Sequence, residues 1–120
     1  MENMVALFAY GTLQQPEVQC ATCGRRLEGQ ADQLAGYALA PLAITSPYVV
    51  ALSGKAVHTI ARRTGDPADR IAGTVFSLTP AELEAIDRYE VDAYARIEVE
   101  LASGRRAFVY AGPPLGDGAV

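Results

Sequence analysis

Two short stretches of this 120-residue chain combine residue types that could bind and deprotonate a small molecule. In the first, an apolar run over residues 4–9 ends at Tyr10-Gly11-Thr12-Leu13. Glycine permits a tight turn with φ > 0 and a close backbone approach, so such a turn can direct successive N–H groups at a carboxylate or a developing oxyanion. A strand that ends in a glycine turn is also common in folds that have no site there. This stretch alone leaves a functional and a structural interpretation open.

Glu90 is the acid of the second stretch. Leu83, Ile86 and the pair Tyr89-Glu90 recur at three- and four-residue spacing, which places them on one face of a predicted helix. A carboxylate on that inward face is costly to bury, and burial raises its pKa toward the value that suits a general base near neutral pH. The alternative is an acid at a helix end that pairs with Arg88 or Arg96. Periodicity favours neither interpretation.

The helix that would carry Glu90 has the clearest local signals in the chain. Thr79 is its predicted N-cap, Pro80 occupies the first helical position, and Glu82 completes a capping box with Thr79. These residues predict a helix that ends near Tyr89.

The rest of the chain is typical of short strands separated by turns. Gly36 predicts a bulge or sharp bend, Ser103-Gly104 predicts the turn of a hairpin, and residues 14–22 fit a short helix or an irregular loop. The predicted extended segments are residues 4–9, 29–39, 48–52, 56–60, 71–78, 94–101 and 107–110. Many short strands without regular strand–helix alternation predict an α+β fold. We expect a small, mixed, mostly antiparallel β-barrel, closed or partly closed, with one or two short helices.

Composition and charge argue against several classes of protein. The formal net charge of −4 is the opposite of what a nucleic-acid surface requires. No apolar run approaches the roughly 20 residues of a membrane span, and the N-terminus lacks the pattern of a signal peptide, which predicts a cytoplasmic protein. The length fits one domain over residues 1–112, followed by a flexible tail over residues 113–120.

Cys20 and Cys23 form the only Cys-x-x-Cys of the sequence. A redox role needs a strand directly before the first cysteine and a helix that opens on it, whereas about ten residues separate this pair from the first strand. A zinc site would need more ligands than His58, the single histidine, can add within one chain. Two reduced cysteines near a surface turn are the simpler prediction.

Four short motifs follow one another along the chain. They are Phe8-Ala9-Tyr10-Gly11-Thr12-Leu13, Gly73-x-Val75-Phe76, Leu83-x-x-Ile86-Asp87-x-Tyr89-Glu90 and Tyr94-x-Arg96. In order and spacing they resemble the gamma-glutamylcyclotransferase-like superfamily, and most closely its small branch, which includes gamma-glutamylamine cyclotransferase. The resemblance extends over roughly residues 4–111.

The resemblance implies a small barrel with a cavity at one end. Tyr10, Gly11, Thr12 and Leu13 would bind a gamma-glutamyl group, largely through backbone groups, and Glu90 would be the catalytic acid and base. The implied reaction is attack of the substrate's α-amine on its own γ-carbonyl, which releases 5-oxoproline and a free amine. It implies no metal or cofactor, a small-molecule substrate, and a monomer or homodimer.

Secondary candidates follow from the same motifs and from the strand pattern. Tyr94 and Arg96 are further substrate-binding candidates, although Arg96 also fits an ion pair that fixes the end of a strand. Tyr110 fits either the cavity wall or the core. Ser46 and Ser53 lack a nearby histidine pattern, so the sequence gives a serine nucleophile little support. A non-catalytic module that binds a small ligand or a protein in the same cavity remains the alternative function, because fold does not dictate activity.

Overall fold

The computed structural model describes residues 4–90 and 94–112. Within them the chain forms seven strands, three α-helices and one 3-10 turn. The strands are β1 Val5–Ala9, β2 Gly29–Ala35, β3 Tyr37–Ala43, β4 Val57–Arg63, β5 Arg70–Leu78, β6 Ala95–Glu100 and β7 Arg106–Ala111. The helices are α1 Pro16–Cys23, α2 Pro47–Ser53 and α3 Pro80–Tyr89, and the 3-10 turn is Thr12–Gln14. The predicted tail over residues 113–120 lies outside the described residues.

The strands form one curled, mixed sheet in the order β2-β5-β1-β7-β4-β3, with β6 paired to β7. Pairing is antiparallel except where β7 meets β1 and β4. Because β6 covers one edge of β7 over its whole length, β1 and β4 must share the other edge. β1 pairs there at Phe108 and β4 at Ala111, so these two strands diverge from each other. The predicted α+β, mostly antiparallel fold is confirmed, with one more helix than expected.

Gly36 forms the corner that curls the sheet. It joins β2 and β3, which lie at opposite ends of the strand order, and its φ of 83° is favourable for glycine. Its N–H donates to the Asp69 carbonyl and its own carbonyl accepts from the Thr64 N–H, both at 2.8 Å. The bend predicted at Gly36 is confirmed.

The core divides into two clusters, one on each side of β1. Leu7 packs with α1 and α3 residues such as Val18 and Ile86, and Phe8 packs inside the curl with residues such as Val75 and Val109. This alternation follows from the two-residue period of a strand. It fixes the direction in which the chain leaves β1 and enters the turn that follows.

The segment over residues 48–52 is helical, so its assignment as a strand is wrong. Ser46 caps α2 by accepting a hydrogen bond from the Val49 N–H, Pro47 occupies the first turn, and Gly54 ends the helix at φ 74°. These flanking signals outweigh the β-branched content of the run.

Helix α3 and the β6–β7 hairpin follow the sequence-based predictions. Thr79 and Glu82 form the full capping box, and the helix ends at Tyr89. β6 pairs with β7 from Ala95↔Ala111 to Glu100↔Arg106. Glu90 therefore follows directly on a well-defined helix end.

Candidate active site

A cavity opens where β1 and β4 diverge. It encloses about 390 Å³ of atom-free space, its mouth included. The lining residues are Leu7, Phe8, Ala9, Tyr10, Gly11, Thr12, Leu13, His58, Thr59, Glu90, Tyr94 and Tyr110. The structure thus brings six of the seven predicted site residues into one cavity, across more than 80 positions of sequence.

The turn after β1 supplies N–H groups that the described fold does not use. Gly11, Thr12 and Leu13 line the cavity, and their backbone N–H groups make no hydrogen bond to another described residue. Gly11 has φ −127°, so its turn does not use the positive φ that glycine permits. A Cβ atom at Gly11 would meet only Thr59 Oγ1, at 3.7 Å. The lack of a side chain therefore keeps cavity space open rather than permitting a special backbone conformation.

Glu90 is the C-cap residue of α3. It lines the same cavity as that turn, although the two lie far apart in the sequence. Burial, with a smaller contribution from the nearby Asp87 carboxylate, raises its pKa to about 7. No hydrogen bond or ion pair holds its carboxylate within residues 4–90 and 94–112. Pairing with Arg88 or Arg96, the structural alternative, is therefore not what this part of the chain forms.

A buried hydrogen bond joins the two stretches singled out in the sequence. Thr12 Oγ1 lies 2.8 Å from the Tyr89 hydroxyl, one residue before Glu90. Thr12 thus uses its hydroxyl to fix the turn against the end of α3. This contact holds the turn against the residue that precedes Glu90.

The hydroxyl groups of the cavity tyrosines form hydrogen bonds within the protein. Tyr10 donates to the Tyr110 carbonyl at 2.6 Å and accepts from the Ala61 N–H at 2.9 Å, so it bridges β7 and β4. Tyr94 donates to the Thr59 carbonyl at 2.7 Å, and Tyr110 donates to Asp87. Burial raises the pKa of all three phenols, which keeps them neutral. Their rings form part of the wall, and Glu90 is the acidic residue among the described residues that line the cavity.

Arg96 lies outside the set of residues that line the cavity. Its guanidinium forms an ion pair with Asp87 at 2.7 Å and lies 5.3 Å from the centre of the Phe108 ring. Asp87 also accepts from the Tyr110 hydroxyl. The structure places Arg96 in a cluster that anchors α3 on the hairpin, as its ion-pair interpretation requires.

His58 and Ser53 form a contact that the sequence interpretation missed. Ser53 Oγ lies 3.0 Å from His58 Nε2, a pair that the sequence pattern does not predict. Ser53 also donates to the Val49 carbonyl at 2.8 Å and is not among the cavity-lining residues. Burial lowers the pKa of His58, which therefore lines the cavity as a neutral ring. A serine nucleophile still has no support at this site.

The cysteines lie elsewhere in the fold. Cys20 and Cys23 belong to α1 and have free thiols, and neither lines the cavity. Among the described residues, no three His, Cys, Asp or Glu side chains group closely enough to hold a metal ion. None of the helices in this part of the chain is long and apolar enough to cross a membrane.

Solved structures share this architecture at low sequence identity. An Arabidopsis thaliana protein with a solution structure is 21% identical, with a TM-score of 0.68, and the match covers 93% of this chain. A protein described as a gamma-glutamyl cyclotransferase is 17% identical, with a TM-score of 0.70, over 93% of this chain and 68% of that one. An uncharacterised human protein is 19% identical, with a TM-score of 0.69, over 92% and 68%. This chain spans 64% of the length of the Arabidopsis protein.

No curated protein matches the chain in sequence. The family described as gamma-glutamyl cyclotransferase, AIG2-like, matches it over residues 7–118. That match includes the end of β1, the turn after it, β4, α3 and the hairpin, which together build the cavity. The chain therefore belongs to the gamma-glutamyl cyclotransferase, AIG2-like family.

Proposed function

We propose that this protein is a cyclotransferase that converts a gamma-glutamyl amide into 5-oxoproline and a free amine, with Glu90 as general base and acid. One observation carries the proposal. A carboxyl group with a pKa of about 7 and no protein partner among the described residues shares a cavity with the unused N–H groups of Gly11, Thr12 and Leu13.

The pKa of Glu90 suits the proton that must move. The α-amine of the substrate is mostly an ammonium at neutral pH, with a reference pKa of about 8, and cannot attack until it loses a proton. A carboxylate of pKa about 7 accepts that proton with little cost and can release it again. Such transfer typically contributes about 10²–10⁴-fold in rate.

The reaction then closes a five-membered ring. The freed amine nitrogen bonds to the γ-carbonyl carbon, and the carbonyl π electrons move to its oxygen. Glu90 gives its proton to the leaving nitrogen, the old C–N bond breaks, and the oxyanion reforms the carbonyl. The surplus proton on the ring nitrogen passes through solvent to the released amine. Because both reacting groups belong to one molecule, positioning can contribute up to about 7–11 kcal/mol.

The turn is the best-placed binding element for the substrate's anionic groups. Among the described residues that line the cavity, His58 is the sole basic one, and its lowered pKa leaves it neutral. Backbone N–H groups of residues 11–13 are therefore the donors for the α-carboxylate or the developing oxyanion. Loss of one oxyanion donor typically costs about 10²–10³-fold in rate.

The test is to incubate the protein with a panel of gamma-glutamyl amines and gamma-glutamyl dipeptides and to measure the release of 5-oxoproline by chromatography. We expect release from at least one member of the panel. If members of the panel raise the melting temperature of the protein but none releases 5-oxoproline, the protein is a binding module and the proposal is overturned.

Replacing Gly11 by Ala should separate the binding role of the turn from the stability of the fold. The added methyl group would enter cavity space, where only Thr59 Oγ1 lies within 4 Å. We expect a melting temperature close to that of the parent and a fall in kcat/KM of about tenfold, which is about 1.4 kcal/mol.

Gly73→Ala is the matched contrast for that variant. A Cβ atom at Gly73 would lie 2.7 Å from the Phe8 ring, so this change should lower the melting temperature. Unchanged kcat/KM in Gly11→Ala, or the same loss of stability in both variants, would contradict the role assigned to the turn.

A further inference from the structure

A second, open groove lies beside Glu90. It is lined by residues 42–46, by the start of α2 and by the last residues of α3, and it holds about 880 Å³ of atom-free space, its mouth included. Glu90 lines both this groove and the cavity. The carboxyl-bearing residue therefore stands at the junction of two spaces.

The groove combines an apolar wall with one cation. Its apolar lining consists of Leu42, Ile44, Val49 and Tyr48. The accessible part comes mainly from Tyr48, which is 61% exposed, and from the half-buried Leu42, because Ile44 and Val49 are buried. Arg88 lines the groove two residues before Glu90. In residues 4–90 and 94–112, no carboxylate forms an ion pair with Arg88, and the three ion pairs of this region use Arg25, Arg96 and Arg106 instead.

The proposed reaction requires a space of this kind. The leaving nitrogen must lie close to Glu90 to receive its proton, so the leaving half of the substrate has to extend away from the gamma-glutamyl cavity. The groove is the second space that Glu90 lines, besides the cavity. Near neutral pH the Glu90 carboxyl is only partly ionised, and Arg88 then gives the groove its positive charge.

We infer that this groove binds the leaving half of the substrate, and that it selects gamma-glutamyl amides of apolar amino acids whose free carboxylate pairs with Arg88. The inference rests on the proposed cyclotransferase function. Guanidinium groups bind carboxylates through paired N–H donors, and aliphatic and aromatic surface favours an apolar side chain. Arg88 would determine which substrates bind, whereas Glu90 would transfer the proton.

Two matched substrates test the inference. Gamma-glutamyl-leucine and gamma-glutamyl-isopentylamine have the same branched carbon chain, and only the first carries a carboxylate on its leaving half. We expect kcat/KM for 5-oxoproline release to be about tenfold higher for the leucine substrate, since the pair with Arg88 is partly exposed to solvent. In Arg88→Gln the ratio should fall to near one, because the leucine substrate loses its partner.

Arg63→Gln is the matched control. It removes the same charge from an exposed residue at the far end of β4, outside both the cavity and the groove, and should keep the parent ratio. Equal rates for the two substrates in the parent protein, or the same fall in ratio in both variants, would overturn the inference while 5-oxoproline release still supports the proposed function. Absence of 5-oxoproline from both substrates would overturn the inference, and the proposed function falls with it only if no other member of the panel releases 5-oxoproline.

Discussion

Glu90→Gln is expected to lower 5-oxoproline release by about 10²–10⁴-fold, the usual contribution of a general acid–base group. Glutamine keeps the size and the hydrogen-bonding capacity of the protonated acid, but it cannot take a proton from the substrate ammonium. The measurement is the initial rate of 5-oxoproline release with a substrate that the parent protein turns over. Substrate should still raise the melting temperature of the variant, because the groups that bind it are unchanged.

Glu84→Gln is the control for that experiment. Glu84 lies on the exposed side of the same helix and lines neither the cavity nor the groove. It should retain the parent rate. If Glu90→Gln also stays within about threefold of the parent, a difference of less than about 1 kcal/mol, Glu90 does not move the proton.

The second large effect is on stability, and it depends on pH. The pKa of Glu90 is raised from 4.5 in the unfolded chain to about 7 in the fold, so the folded state binds this proton more tightly. Its contribution to stability is therefore full below about pH 4.5 and is lost as the pH rises through about 7. Glutamine does not ionise, so Glu90→Gln should unfold like the parent at low pH and should be more stable by about 2–3 kcal/mol in alkaline buffer.

Urea unfolding of the parent, Glu90→Gln and Glu84→Gln at acidic and alkaline pH measures this difference. Glu84→Gln should show no comparable change with pH. A stability gain in Glu90→Gln that is the same at both ends of the pH range would mean that Glu90 titrates like an ordinary surface acid.

Features set by neighbouring residues could be predicted from the sequence. The capping box of Thr79 and Glu82 and the turn at Ser103-Gly104 act within a few residues, and the structure forms both elements where they were expected. The β-branched run within α2 predicts a strand, but the residues that flank it determine a helix. Ser46-Pro47 before the run and Gly54 after it are start and stop signals that could have identified the helix.

The sequence predicts which residues line the candidate site better than it predicts the hydrogen bonds between them. The motifs brought Glu90 and the turn over residues 10–13 together, and both line the cavity. The hydrogen bonds of Tyr10 to Ala61 and of Thr12 to Tyr89 join residues 51 and 77 positions apart. No local pattern encodes such pairs, because they depend on how the sheet curls around Gly36. The Tyr94-x-Arg96 motif predicts a substrate contact for Arg96, whereas in the fold Arg96 forms an ion pair with Asp87.

The pH dependence of kcat/KM for 5-oxoproline release by the parent protein tests the central claim most directly. If Glu90 must be ionised to accept the substrate's proton, the rate should rise with pH through a limb near 7, the pKa of Glu90, and this limb should be missing from the residual activity of Glu90→Gln. The rate should fall again where the substrate ammonium, with a pKa of about 8, has already lost its proton to solvent, because Glu90 then has no proton to pass to the leaving nitrogen. A profile without a limb near 7, or one that rises near 4.5, the ordinary value for glutamate, would contradict the assignment of Glu90 as the group that moves the proton.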